Sequence, residues 1–463
     1  MERTVALRER GQVAVLLNSL QESALQRLGG REPDPRNLRT WRQWVLGVWV
    51  ARSTRLLTVA RVIAPQRRVR SVKAAAAALG YFLETAQFPL RPWSTYLLEA
   101  SWRALDPTRM ATYRGRPLLV IDPTEYAKRS RGQGKRNRHM QHIGRVRRPT
   151  KGPKARARKG RARAAAPARA PRATTTSGYV DVWAGLVLRG KQFFPLSRLL
   201  YSNRHPKLRS QNRVEEAVLG SALALARRWG LAPIAVGDRG LGRKELLIRL
   251  AQREQAYVFR VDPDITLWDA DGQERGPLAA CLTAQAPLGE AWWYGGEDGP
   301  VRCTVRVVRG AIRHSRTGRQ ADYTEAPLTF VELRPLVGTR APLVLATTLP
   351  VASLADARGI AWVYGQRWTI ETGFETLKAW GLGRFMVRRW QAIDRLLWIV
   401  ASAYTVLLLL LHAPRLTRLR YQAGALLRQQ AVLGRYLTVG KLAEALGLDF
   451  PHHRRAWAAV WLL

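Results

Sequence analysis

The sequence predicts a mixed α/β core set between two helical regions. Three observations predict it. Two short apolar runs in the middle of the chain, 117–122 (Pro-Leu-Leu-Val-Ile-Asp) and 232–238 (Ala-Pro-Ile-Ala-Val-Gly-Asp), each end in a carboxylate. A helix rich in Ala and Leu, 215–229, stands just before the second run. Apolar residues recur at helical spacing near both ends of the chain, as in Val13, Leu16, Leu17 and Leu20.

The elements follow in order. Residues 1–112 read as a helical region with Arg and Trp interleaved, including Trp41, Trp44 and Trp49. Its position and charge suit a DNA-binding region, and an ordinary bundle with a solvated basic face reads the same way. The core begins at 113 and its first part runs to 262, with strands at 117–122, 179–188, 193–201, 232–238 and 256–261. Several strands before the first helix of this region point to a mixed layout. Residues 128–172 hold 18 Lys or Arg and no Asp or Glu. Such a stretch cannot bury enough apolar surface to fold alone and is expected to be a disordered basic arm or a solvated linker. Residues 263–342 carry Gly and Pro turns, the cluster Trp292-Trp293-Tyr294 and a β-branched run at 303–308, and predict a β-rich insertion. The second part of the core, 343–390, opens with a strand at 343–349 and continues as one long helix from Ser353 to about Trp380. Residues 391–463 are expected to be helical, and no internal repeat is visible.

The chain has 77 Lys and Arg against 33 Asp and Glu, a net charge of +44 over 463 residues. A surface that basic seeks polyanions, nucleic acid first and an anionic membrane second. Hydrophobic residues at 47% rule out wholesale disorder. Two cysteines, Cys281 and Cys303, exclude a disulfide scaffold and a Cys-rich zinc site. The opening residues lack a signal-peptide pattern, so a cytoplasmic, nucleoid-associated protein is expected. The apolar stretch 396–411 falls short of the ~20 residues a bilayer requires and reads as a buried core helix. No membrane partner is expected.

Chemistry is concentrated in the carboxylates. On a helix advancing about 100° per residue, Tyr364, Arg367, Glu371 and Lys378 fall within an arc of about 60°. Val363, Ile370, Phe374 and Leu377 form the adjoining apolar stripe. Taken alone, this is also the pattern of a surface ion pair on an amphipathic helix. Asp122 and Asp238 each end a strand, where sites form in α/β sheets, although either alone reads equally as a cap or turn residue. Three carboxylates together can hold two Mg²⁺ ions for phosphoryl transfer. Glu125, Asp181, Asp262, Asp264 and Asp394 lie near these motifs and are expected to be surface or loop acids. His139, His142, His452 and His453 show no metal-ligand spacing.

The spacing Tyr364-x2-Arg367-x3-Glu371-x6-Lys378 resembles the Tyr-Arg-Glu-Lys signature of the insertion sequence 4 family of transposases. Asp122-Pro123-Thr124 resembles that family's first catalytic Asp, and Asp238-Arg239-Gly240 its second. The resemblance covers about 117–380. It implies a ribonuclease-H-like catalytic core with a β insertion and a DDE transposase activity, metal-dependent strand cleavage and strand transfer at the ends of an insertion sequence. It implies that Asp122, Asp238 and Glu371 are the catalytic metal ligands for two Mg²⁺ ions, with Mn²⁺ as a substitute. It implies DNA contacts from Tyr364, Arg367 and Lys378. The partners expected are double-stranded DNA, as terminal inverted repeats and target, and a second copy of the chain in the DNA complex. Hairpin-forming relatives carry a Trp at the position of Leu343, 28 residues before Glu371. A DNA-binding relic without catalysis is the alternative reading.

Overall fold

A computed structural model describes residues 10–28, 33–64, 71–128, 140–147, 175–208, 210–293, 299–315, 324–338, 340–412 and 438–450, with Leu419, Gln422 and Ala423. Five helices open the described chain: α1 (Arg10–Arg27), α2 (Pro35–Ala51), α3 (Leu56–Ile63), α4 (Val72–Glu84) and α5 (Leu90–Ala104). Asp34 caps α2 and Ser71 caps α4 through their side-chain oxygens. Trp41, Trp44 and Trp49, read from the sequence as part of a helical region, are fully buried, as is Trp93 of α5.

The sheet begins with β1 (Thr112–Tyr113), β2 (Arg116–Ala127), β3 (Gly144–Arg147), β4 (Thr175–Leu188) and β5 (Gln192–Tyr201). Helix α6 (Gln211–Arg228) leads to β6 (Ile234–Gly237), and α7 (Lys244–Gln252) to β7 (Tyr257–Arg260). The spatial order is β5-β4-β2-β6-β7, with β4 antiparallel to both of its neighbours, β5 and β2. Strands β2, β6 and β7 run parallel. The strands are buried on both faces, as expected of a sheet flanked by helices.

The sheet does not stop at β7. Strands β8 (Thr266–Trp268) and β9 (Glu274–Pro277), helix α8 (Leu278–Thr283), and strands β10 (Gly289–Trp293), β11 (Val301–His314) and β12 (Thr324–Pro335) follow. Then β13 (Leu343–Thr347) returns and pairs antiparallel with β7 on one side and β12 on the other. The result is one continuous 13-stranded sheet. The chain is therefore mixed α/β, as predicted.

Two helices, α9 (Leu354–Gly365) and α10 (Trp368–Ala379), follow β13. Ser353 and Asp356 form a capping box at the start of α9. The single long helix expected over this stretch is broken at Gln366–Arg367. There the backbone bonds tighten to three-residue spacing: Arg367 N–H donates to Tyr364 (3.0 Å), Thr369 to Gln366 (3.0 Å) and Ile370 to Arg367 (3.2 Å). The chain closes with α11 (Trp390–His412) and α12 (Val439–Asp449). Helix α11 has 23 residues, long and apolar enough to cross a membrane, yet 94% of its most apolar window is buried inside the protein. That is the core helix expected at 396–411.

Two expectations need correction. The basic arm is not uninterrupted: β3 pairs antiparallel with β4, because Val146 is buried while Arg145 faces out. Lys128 is buried too, and Lys128 Nζ donates to the carbonyls of Gly383 (2.9 Å) and Phe385 (2.8 Å). Residues 129–139, including His139, and 148–172 lie outside the described residues, as do His452 and His453. Second, Asp181 and Asp394 are not surface acids. Both are buried and share Arg198 in a buried ion network. Asp264 and Asp262 are exposed as expected, Asp262 pairing with Arg239 at 3.2 Å, and Glu125 is half-buried.

Candidate active site

Register sets two of the three carboxylates side by side. Val120 of β2 pairs in parallel with Val236 of β6, so Asp122 and Asp238 each stand two residues past that pair. Asp238 stands one residue past the end of β6, whereas Asp122, expected to end its strand, stands midway along β2, which runs on to Ala127. The two carboxylates follow the point where the parallel β2–β6 pairing stops. Asp122 is held by the fully buried run Leu118–Ile121. Asp238 is half-buried, and its Oδ1 accepts from Gly240 N–H at 2.9 Å. Arg243 steadies this turn, donating to Gly240 O and to Glu215 of α6 at 2.7 Å.

Glu371 arrives from α10. The apolar stripe read from the sequence packs as predicted: Val363, Ile370, Phe374 and Leu377 are all buried. Phe374 meets Trp183 and Phe193, which belong to β4 and β5. Gly373 permits that approach, since a Cβ there would collide with the Phe193 ring. The helix thus lies over the sheet with Glu371 turned to the strand ends.

Arg367 bridges two of the carboxylates. Its Nη1 lies 2.6 Å from Glu371 Oε1 and 3.4 Å from Asp122 Oδ1. The guanidinium is buried, 5.1 Å from the Trp368 ring and 6.0 Å from the buried Tyr364 ring. Its Nε is buried with no hydrogen-bond partner among the described residues. Lys378 is exposed and close enough for Asp122 to feel its charge.

The field at Asp122 is unusual. Burial pushes its carboxyl up to about 8. Arg367 opposes that rise, Asp238 and Glu371 add to it, and Lys378 opposes it. A buried carboxylate so poorly compensated calls for more positive charge than the chain supplies. Three carboxylates are also the oxygen donors that Mg²⁺ takes. On both counts the residues fit a hard divalent cation. Their convergence is incomplete: among the described residues, no three acidic, His or Cys side chains stand close enough to hold one ion.

Beside Glu371 a cleft of about 790 Å³ opens between β10, α9 and α10. Trp292, Trp362 and Trp368 line it with 55%, 45% and 41% of their surfaces exposed. Lys191 and Arg358 also line it. Leu343 is buried in the sheet and Trp293 is buried under Arg340, 4.2 Å from its ring. Sequence reasoning named Trp292 only in passing and missed Trp362 and Trp368. Their signal was available: each sits one or two residues from a motif residue, off the apolar stripe of its helix.

Residues 200–406 match the family model described as "Transposase DDE domain". The match covers less than half of the chain. It includes Asp238, Tyr364, Arg367, Glu371 and Lys378 and leaves out Asp122. No curated protein matches the chain. Among solved structures, the chain is similar to the piggyBac transposase synaptic complex with hairpin DNA. That likeness has a TM-score of 0.44 at 10% identity, covering 96% of this chain and 81% of the other. Over residues 200–406, then, the chain is similar to the transposase DDE domain family.

Proposed function

We propose that the protein is a DNA transposase of the insertion sequence 4 group, with a ribonuclease-H-like core. It cuts DNA strands at the ends of an insertion sequence and transfers them. The observation that carries this reading is the parallel register that sets Asp122 beside Asp238, under a helix bearing Glu371, within and next to a stretch matching a transposase DDE domain. The strand order β5-β4-β2-β6-β7 supports the core assignment.

Asp122, Asp238 and Glu371 would hold two Mg²⁺ ions, which when bound supply an activated nucleophile and charge stabilisation for phosphoryl transfer. The chain's own residues do the rest. Arg367 and Lys378 bind backbone phosphates near the cleaved end, Arg through its planar fork and Lys as a point charge. The cleft of Trp292, Trp362 and Trp368 offers flat apolar faces on which an unpaired base can stack. The surrounding charge of +44 draws the DNA and makes its affinity fall with salt. Two DNA ends require at least a homodimer in the complex, and a cytoplasmic, nucleoid-associated location follows from the substrate. The incomplete convergence of the carboxylates is the observation that favours the second reading, a DNA-binding relic.

The test is excision in Mg²⁺ from a plasmid carrying the gene with its native flanks, comparing wild type with Glu371→Ala. Excision by wild type alone is expected. Equal excision by both would remove Glu371 from the site, and DNA binding without cleavage by either would favour the relic.

A further inference from the structure

We propose that Arg367 keeps the carboxylate site closed to divalent cations until a DNA phosphate draws the guanidinium away. The inference rests on the transposase reading and goes beyond phosphate contact: Arg367 becomes a positioning residue that couples metal binding to DNA binding.

Arg367 Nη1 contacts Asp122 Oδ1 and Glu371 Oε1, the same oxygens a divalent cation would take. A guanidinium and a cation cannot share them, because both are positive and both need the inner side of the two carboxylates. In this pose Arg367 supplies one positive charge where the site calls for more. Metal binding must therefore expel it.

The pose is also poorly satisfied. Nη1 makes both contacts with the carboxylates, and one of the two is long at 3.4 Å. Nε is buried without a partner among the described residues. A phosphate offers what this pose lacks, two parallel hydrogen bonds to adjacent guanidinium nitrogens. Arg367 stands at the break between α9 and α10, where the backbone bonds follow the tight three-residue pattern that often marks a hinge. The ring of Trp368, exposed to the cleft, flanks it on the way out.

Coupling of this kind is reciprocal. A phosphate that withdraws Arg367 frees the carboxylates for metal, and metal that fills them releases Arg367 to the phosphate. The protein then assembles its cation site on DNA and not in free solution, which withholds the nuclease from metal alone.

The test reads binding and not turnover. Mn²⁺ is titrated into the full-length protein and free Mn²⁺ is followed by electron paramagnetic resonance. Wild type, Arg367→Met and Asp122→Asn are each measured alone and with a short mixed-sequence duplex. Without DNA, Arg367→Met is expected to bind Mn²⁺ about tenfold or more tighter than wild type, within the range usual for such coupling. With the duplex, wild type is expected to close that gap, after subtraction of the Mn²⁺ held by the Asp122→Asn chain plus duplex. The wild-type comparison with and without duplex stands even if Arg367→Met does not fold. Equal Mn²⁺ affinity for wild type and Arg367→Met without DNA, or no gain for wild type with it, overturns the gate. Mn²⁺ binding unchanged by Asp122→Asn in every state overturns the metal assignment itself.

Discussion

Two buried aspartates on neighbouring strands have opposite surroundings. Asp122 pairs with Trp183 across β2 and β4, and Asp181 pairs with Thr124 two residues further along the same pair. Asp181 is wholly buried and fully bonded. It accepts from Tyr126 Oη (3.0 Å), Trp183 Nε1 (2.6 Å), and Arg198 Nε (3.0 Å) and Nη2 (2.8 Å). Arg198 in turn donates to Asp394 at 2.9 Å, and Asp394 accepts from Arg91. Asp122 is 8% exposed and, among the described residues, its side chain accepts from Arg367 alone, at 3.4 Å. The same residue type, equally buried, is architecture in one place and an unpaid charge in the other. Satisfaction, not burial, separates a structural carboxylate from a reactive one.

Substitutions at the two places break that comparison in different ways. Asp122→Asn should reduce strand cleavage by about 10³-fold, since it removes charge the reaction needs. The variant's melting temperature should hold or rise, because burial already disfavours the charged form that Asn cannot adopt. Arg198→Met should do the reverse. It leaves Asp181 and Asp394 unpaired in the interior, and chemical denaturation should show a loss of about 3–5 kcal/mol.

Lys128 sharpens the point by pH. Burial pushes its amine down to about 7, while the unfolded chain titrates near ~10.4. Between these values the unfolded state holds the extra proton, so stability rises with pH across the window and is lost as pH falls towards 7. Melting curves of wild type should climb from pH 7 to pH 10, and those of Lys128→Met should be flatter. An equal slope in both would remove Lys128 as the cause. The smallest effect belongs to Thr124, whose Oγ1 is buried with no hydrogen-bond partner among the described residues. Thr124→Val keeps the shape and removes the stranded hydroxyl, so melting should show no loss and a gain of at most about 1 kcal/mol.

How much of this was legible depends on how local each signal is. The apolar runs leading into Asp122 and Asp238 declare themselves, because each run and its carboxylate are neighbours in sequence; that β2 continues past Asp122 to Ala127 does not. The stripe from Val363 to Leu377 is equally local, and it packs as its period predicts. Asp181 and Asp394 were misread for the converse reason. Asp181 lies on a strand buried on both faces, where the two-residue alternation that marks an inward side chain is lost. Its partners reach it from elsewhere, and Asp394 lies 196 residues from Arg198. The break at Gln366–Arg367 has no Pro or Gly inside it to announce it. The pairing of β13 with β7, which fuses the insertion to the core sheet, joins segments whose order alone does not specify an antiparallel neighbour. Strand β3 hides in an arginine-rich stretch because four residues with one inward Val are too short a pattern to read.

Under the proposed function, Asp122 stays under-bonded for chemistry while Asp181 is bonded for stability. Asp122→Asn and Asp181→Asn, made side by side and measured for Mg²⁺-dependent strand cleavage and for melting temperature, test it most directly. The account predicts that Asp122→Asn melts like wild type or higher and does not cleave, whereas Asp181→Asn melts lower and cleaves while folded. Wild-type cleavage by Asp122→Asn, or melting lowered as far as that of Asp181→Asn, would contradict it.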